Sequence, residues 1–123
     1  MKQLVELAME NMSTGDYFLF RTICCECGTA YGNRPIRFSK AGAAPPSESR
    51  KRLYEALYDQ ELRSARQSAV REAAENLNYC PVCKRLVCNH CFLICRELDM
   101  CKRCADELEE TGSPVISHQI LSV

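Results

Sequence analysis

The chain has 123 residues, with ten cysteines, no tryptophan and only 7% aromatic residues, so an apolar core alone would stabilise it only marginally. Sixteen basic and sixteen acidic side chains give a formal net charge of zero, which argues against nucleic-acid binding because such proteins present a basic surface. No stretch is apolar enough for a secretory signal or a membrane span. We therefore expect a cytoplasmic protein without membrane contact, whose thiols stay reduced.

The N-terminal third predicts one helix followed by a β-hairpin. Apolar residues recur at helical spacing from Leu4 to Met12, which predicts an amphipathic helix over residues 2–12. Residues 17–24 are aromatic and β-branched and predict a strand, and residues 34–39 predict a second short strand. The run CCECG lies between them, so its cysteines are expected at the tip of the hairpin.

The longest regular segment follows a linker, residues 41–49, which is rich in small residues and proline. No glycine or proline interrupts residues 49–77, and a stripe at steps of three and four residues predicts a helix of about 42 Å. The stripe consists of Tyr54, Tyr58, Leu62, Ala65, Ala69, Ala73 and Leu77. Two interpretations stay open: the stripe faces the protein's own core, or the helix projects and pairs with a partner or a second copy.

Seven of the ten cysteines lie within residues 80–104. Residues 105–110 predict a helix that ends at Gly112, and the β-prone tail that follows predicts an additional strand. We interpret residues 1–123 as a single domain. Its parts are the N-terminal helix and first cysteine pair (1–40), the linker and long helix (41–79), the main cysteine cluster with a short helix (80–112) and the tail (113–123).

Four CxxC pairs dominate the cysteine pattern: Cys24 with Cys27, Cys80 with Cys83, Cys88 with Cys91, and Cys101 with Cys104. Two residues between ligands let a tight turn direct two thiolates at one ion, and a structural zinc site is a closed tetrahedron of four ligands. Four pairs therefore predict two zinc ions per chain. The spacing leaves sequential, crossed and nested pairings open.

The run CPVCKRLVCNHC resembles the CxxC, four residues, CxxC spacing of FYVE-type cross-brace zinc fingers, MCKRCADEL resembles their last pair, and CCECG resembles their first knuckle. RING and PHD fingers share this crossed topology, and small bacterial zinc-finger and zinc-ribbon proteins are similar in leading a helix into CPxCxxxVC. The resemblance implies a small α+β treble-clef fold, stabilised by zinc, with short β-hairpins, a long inserted helix and a short C-terminal helix. It implies two interleaved sites, the first with Cys24, Cys27, Cys88 and Cys91 and the second with Cys80, Cys83, Cys101 and Cys104.

The chain departs from FYVE fingers in two ways that bear on function. The first two pairs are separated by 52 residues, and the stretch ENLNYCPVC lacks the basic, His-containing segment with which FYVE domains bind phosphoinositides, so lipid binding is not carried over. No HExxH, deaminase or phosphate-loop motif occurs, so we expect neither enzyme activity nor a small-molecule substrate. We expect a structural zinc-binding adaptor or scaffold that binds a protein partner, or itself, through the long helix.

Two alternatives are a RING-like module of the ubiquitin-ligase type and a zinc-finger nucleic-acid-binding regulator. RING domains usually carry a mixed Cys/His second pair, whereas this chain has Cys80 and Cys83 there. Nucleic-acid binding would depend on one basic cluster, Arg34, Arg37, Lys40, Arg50, Lys51 and Arg52.

Two cysteines and both histidines lie outside the predicted ligand sets. We predict that Cys25 is a small buried residue, with exchange for the neighbouring Cys24 as the alternative. Cys95 follows Cys91 by four residues and is a candidate alternative ligand. His90 is expected to point outward, and His118 to be an ordinary surface or core histidine.

Overall fold

The structure, a computed structural model, describes residues 1–110, Gly112 and residues 117–120, the last four by their backbone alone. Its helices are α1 (Lys2–Leu7), α2 (Lys51–Asn76) and α3 (Lys102–Glu110). Its strands are β1 (Glu10–Asn11), β2 (Tyr17–Phe18), β3 (Phe20–Ile23), β4 (Ala30–Gly32), β5 (Ile36–Arg37), β6 (Leu77–Cys80), β7 (Arg85–Cys88), β8 (Phe92–Cys95), β9 (Met100–Cys101) and β10 (Ser117–Ile120). No helix in these described ranges is both long and apolar enough to span a membrane.

The strands pair antiparallel in four small sheets. The N-terminal sheets have the orders β1-β3-β4 and β2-β5, and the C-terminal sheets have the orders β6-β7 and β10-β8-β9. The strand predicted in the tail is confirmed as β10, and the predicted short helix is confirmed as α3, which begins inside the last CxxC pair. The predicted small α+β architecture with short antiparallel strands is thus confirmed.

The predicted N-terminal helix is wrong beyond Leu7, because the chain continues as strand β1. Glu10 pairs with Arg21 of β3, and the Met12 N–H donates to the Leu19 carbonyl at 2.8 Å. Pairing with β3 therefore satisfies the backbone groups that a longer helix would have satisfied internally.

The first predicted strand splits at Leu19 into β2 and β3, which belong to different sheets. β2 pairs with β5, inside the second predicted strand, whereas β3 pairs with β4, which was not predicted. The Asn33 side chain accepts from the Phe20 N–H at 2.8 Å and donates to the Phe18 carbonyl at 3.0 Å, so it replaces a backbone partner at the split. Gly32 is required here, because a Cβ atom would lie 1.9 Å from the Phe20 carbonyl oxygen.

Helix α2 reproduces the helix predicted over residues 49–77 to within two residues at each end. In its C-terminal half the predicted stripe is buried at Ala65, Ala69 and Ala73. These small side chains let α2 lie close against β3 and β4. Helix α2 also contacts α1. The core-facing interpretation is therefore correct for this half.

The N-terminal half of α2 also lies against the protein. The Tyr58 ring is 5.0 Å from the Phe18 ring and 5.2 Å from the Phe38 ring, centroid to centroid, and its hydroxyl donates to the Thr14 carbonyl at 3.0 Å. Leu62 packs on the same cluster. The interpretation in which the helix projects with Tyr58 and Leu62 exposed is therefore wrong.

Two apolar clusters form the core of the described residues. The aromatic cluster contains Phe18, Phe20, Ala65 and Ala69. The cysteine cluster contains Val5, Cys24, Ala73, Leu77, Cys80, Leu86, Val87, Cys88, Phe92, Cys95, Met100, Cys101, Cys104 and Ala105. Six of those fourteen residues are cysteines, so the packing of this second cluster depends on what the thiols bind.

Candidate metal centres

The first cysteine pair lies in the turn between β3 and β4. Burial alternates along β3 at Phe20 and Thr22, and this alternation places Cys24 in the core. Gly28, directly after Cys27, has a φ of +78°, which glycine adopts without strain. Its N–H donates to the Cys24 carbonyl at 3.0 Å, and this closes a tight knuckle around the two thiols.

The second pair repeats this geometry in the turn between β6 and β7. Lys84 occupies the position after Cys83 and has a φ of +58°, and its N–H donates to the Cys80 carbonyl at 2.7 Å. No other non-glycine residue in the described chain has a positive φ. The strain at Lys84 indicates that the surrounding structure enforces the knuckle.

The third and fourth pairs come from the ends of other elements. Cys88 ends β7, and Cys91 ends the 3₁₀ turn Asn89–Cys91. Cys101 ends β9, and Cys104 lies in the first turn of α3. Each knuckle therefore faces a pair that is held by a strand end and the turn or helix after it.

The sulfur atoms converge in two groups. The first contains Cys24, Cys27, Cys88 and Cys91, the second Cys80, Cys83, Cys101 and Cys104, and within each group all four sulfurs lie within 4.8 Å of one another. The first pair in the sequence thus meets the third, and the second meets the fourth. All eight sequence-predicted site residues are brought together, in the two sets that the resemblance implies.

The distances between sulfurs fit a tetrahedral metal site. The Cys27–Cys88 and Cys88–Cys91 separations are 3.7 Å, and the Cys80–Cys104 and Cys83–Cys101 separations are 3.8 Å. Four sulfurs at the usual zinc–sulfur distance of about 2.3 Å would lie about 3.8 Å apart at tetrahedral angles. A disulfide needs about 2.05 Å between sulfurs, and all these cysteines are free. Each group could therefore hold one metal ion.

Backbone N–H groups connect each knuckle to the pair that it faces. The Cys24 sulfur accepts from the Cys88 N–H at 3.2 Å and from the Glu26 N–H at 3.4 Å. The Cys80 sulfur accepts from the Cys101 N–H at 3.3 Å. These hydrogen bonds fix the sulfur of each knuckle against the backbone of the pair that it faces.

One thiol in each group ionises easily. The hydrogen bond between Cys27 and the Thr29 hydroxyl, at 3.2 Å, is the main reason that the pKa of Cys27 falls to about 6. Burial opposes ionisation of Cys83, but hydrogen bonds from Arg85 and neighbouring thiols outweigh it, so the pKa of Cys83 also falls to about 6.

Other thiols in the groups resist ionisation. Burial, reinforced by nearby thiols, raises the pKa of Cys91 and of Cys104 well above the usual range, and burial also raises the pKa of Cys101. These three thiols would release their protons when a bound cation compensates the negative charge of the thiolates. Metal binding to either group should therefore release protons.

Arg85, at the start of β7, connects the two groups. Its guanidinium donates to the Cys83 sulfur at 3.4 Å, to the Glu26 carboxylate at 2.9 Å and to the Cys25 carbonyl at 3.4 Å. Tyr31 lies beside the other group, where burial and a hydrogen bond to Cys88 raise the pKa of its phenol. Neither residue was predicted: a cation two positions after a ligand was an available signal for Arg85, whereas nothing in the sequence indicated Tyr31.

The remaining cysteines and histidines lie outside both groups. The prediction that Cys25 is buried is wrong: it is exposed, because it follows the inward-facing Cys24. Cys95 is buried but is not a member of either group. His90 is exposed, as predicted, and the side chain of His118 is outside the described part of the chain.

No family model, curated protein or solved structure matches this chain. The class of protein therefore follows from its own residues. The fold and the two sites define a small α+β metal-binding module with two groups of four cysteines.

Proposed function

We propose that the chain is a structural zinc-binding module that holds two zinc ions in a cross-brace and serves as an adaptor or scaffold for a protein partner. The observation that carries the metal part is the convergence of four separate cysteine pairs into two groups of four sulfurs. The pairing of first with third and second with fourth is the ligand order of the cross-brace fingers that the sequence resembles. A reducing cytoplasm would keep the thiols available to zinc.

The donor chemistry fits zinc. Thiolates are soft ligands that suit zinc and iron and are poor ligands for magnesium and calcium. Sites with four protein ligands are closed and structural, whereas catalytic zinc sites keep a position for water or substrate. Seven of the eight thiols are buried or half-buried, Cys27 being the exposed one. We therefore propose a non-catalytic role for both ions.

Cysteine-to-serine variants test the metal assignment. The protein loaded with cadmium should show two cadmium NMR signals, and native mass spectrometry of the zinc form should show two zinc ions per chain. Cys24→Ser and Cys88→Ser should each disturb the same signal, and Cys80→Ser should disturb the other. Cys25→Ser is the matched control and should leave both signals in place. One ion per chain, or a signal disturbed by both Cys24→Ser and Cys80→Ser, would contradict the proposal.

The first turns of α2 support a protein-interaction role. Leu53 is 54% exposed, and Tyr54 and Leu57 are half-buried, so part of the apolar surface at this end of the helix stays open. Exposed apolar groups that lie together commonly mark an interaction site. The aromatic cluster would thus support this end of α2, while the zinc-bound cysteine cluster would anchor the other end at Ala73.

Glutamate substitutions at Leu53 and Tyr54 test the interaction role. The double variant should lose most of the protein co-purified from the native cell, or its self-association in sedimentation, while both zinc ions remain bound. Ser64→Glu, on the exposed face of the same helix, is the matched control and should change neither. Unchanged association in the double variant would contradict the role of α2.

A further inference from the structure

A groove runs between α1 and α2, away from the cysteine groups. It has a volume of about 470 Å³, which is within the range of small-molecule sites. Lys2 and Glu6 of α1, one helical turn apart, line one side. The other side is one face of α2, with basic residues at Arg63, Arg66 and Arg71.

The groove carries an excess of positive charge. Four basic side chains and one carboxylate line it, so its formal charge is +3 in a chain whose net charge is zero. Within the part of the chain that the structure describes, Lys2, Arg63 and Arg71 make no ion pair or side-chain hydrogen bond. Three cations on one concave surface therefore lack partners.

One arginine of the groove, Arg66, already has partners. It pairs with the Glu6 carboxylate at 3.5 Å, and its guanidinium carbon lies 5.9 Å from the centre of the Phe20 ring. Because the Arg66 side chain is 44% exposed, a ligand anion can reach its guanidinium but must compete with Glu6 for it.

We propose that this groove binds a compact ligand that carries two or more phosphoryl groups. Arginine forks match phosphate oxygens in pairs, and Arg63, Arg66 and Arg71 line the same groove, so a ligand with several phosphoryl groups can engage more than one guanidinium. Single-stranded nucleic acid is disfavoured, because its binding sites use aromatic side chains for base stacking and none lines this groove in the described residues. The site goes beyond the zinc-dependent role proposed above and does not depend on it.

Inorganic triphosphate is the probe for the test, with titration calorimetry on the zinc-loaded full chain at low salt. Zinc content is measured before and after, because polyphosphates also bind divalent cations. The wild-type protein should bind one triphosphate, and Arg63→Gln with Arg71→Gln should weaken binding by about tenfold or more, since hydrogen bonds between charged groups are lost. The matched control removes two exposed arginines elsewhere, Arg34→Gln with Arg96→Gln, and should bind like the wild type.

A gain-of-binding variant makes the test independent of folding defects. Glu6→Gln removes the carboxylate from the groove and frees Arg66, so it should bind triphosphate several-fold more tightly. The proposal is overturned if the wild type shows no saturable binding, if the control loses as much affinity as the groove variant, or if Glu6→Gln binds no better than the wild type. Tighter binding of a single-stranded oligonucleotide than of triphosphate would assign the groove to nucleic acid instead and would also overturn it.

Discussion

Replacing Arg85 by glutamine should weaken zinc binding at the group that contains Cys83. The guanidinium is within hydrogen-bonding distance of the Cys83 sulfur and of the Glu26 carboxylate, and 29% of its side chain is exposed. Glutamine keeps a polar side chain but removes the charge and the fork that reaches both partners. The second ion should therefore become easier to remove than the first.

The size of the effect follows from competition between zinc and protons. With Arg85 in place the pKa of Cys83 is about 6, against an ordinary value of 9.0. Glutamine removes the guanidinium hydrogen bond to the Cys83 sulfur while burial continues to oppose ionisation, so the pKa of Cys83 rises and its thiolate fraction at pH 7 falls. The hydrogen bonds from the neighbouring thiols remain in the variant and limit that rise. A more basic thiolate binds zinc more tightly, which offsets part of that loss. We expect affinity to fall by about tenfold, the lower end of the effect of residues that support metal ligands.

Competition with a chromophoric chelator measures the affinity, and cadmium NMR identifies the group that responds. The matched control is Arg103→Gln, because Arg103 neighbours Cys104 but donates to the Glu107 carboxylate and, among the described residues, to no sulfur. The difference between Arg85→Gln and the wild type should shrink as the pH rises, since proton competition then disappears. Equal losses in Arg85→Gln and Arg103→Gln, or a difference that does not change with pH, would refute this account of Arg85.

Three further outcomes are expected. Phe18→Ala should lower the free energy of unfolding, measured by chemical denaturation, by about 3–5 kcal/mol, because a fully buried ring is lost. The folded variant should still bind two zinc ions, and a loss of zinc would mean that the aromatic and cysteine clusters are not separate. Zinc affinity, measured by chelator competition, should fall from about pH 8 to about pH 5, because thiols with raised pKa such as Cys91 and Cys104 must release protons; a flat profile would exclude thiolate ligands. Gly32→Ala should destabilise the fold by more than about 1 kcal/mol, since its Cβ would overlap the Phe20 carbonyl, with faster hydrogen exchange in β3 and β4; an unchanged melting temperature would contradict the close approach of these strands.

Much of the candidate site could be predicted because a CxxC knuckle is a local structure. The two intervening residues and the residue after the second cysteine determine the turn, and Gly28 supplies its positive φ. Spacing alone did not select among the three pairings. The resemblance to cross-brace fingers supplied the crossed arrangement, and the structure groups the sulfurs in that arrangement.

One prediction failed where distant parts of the chain compete for the same backbone, and another failed where a local pattern was overlooked. Residues near Glu10 carry a helical pattern but pair with β3. Cys25 was assigned to the core, although the alternation of buried residues along β3 already turns it outward. The spacing of apolar residues along α2 identified its apolar face correctly. That spacing does not determine whether the face is covered by the same chain or by another.

The sequence by itself therefore determined the turns that present the thiols, the extent of α2 and the number of cysteine pairs, because these depend on neighbouring residues and their backbone preferences. Spacing did not decide which pairs meet across the 52 residues between Cys27 and Cys80; the resemblance indicated the crossed pairing, and the tertiary structure brings those sulfurs together. Only the tertiary structure showed that Arg85 reaches Glu26, 59 positions earlier. Such contacts depend on how α2 packs against β3 and β4, since closing a long loop costs nearly the same for many alternative partners. The packing of α2 against the strands of the same domain, rather than any local sequence signal, selects which distant residues meet.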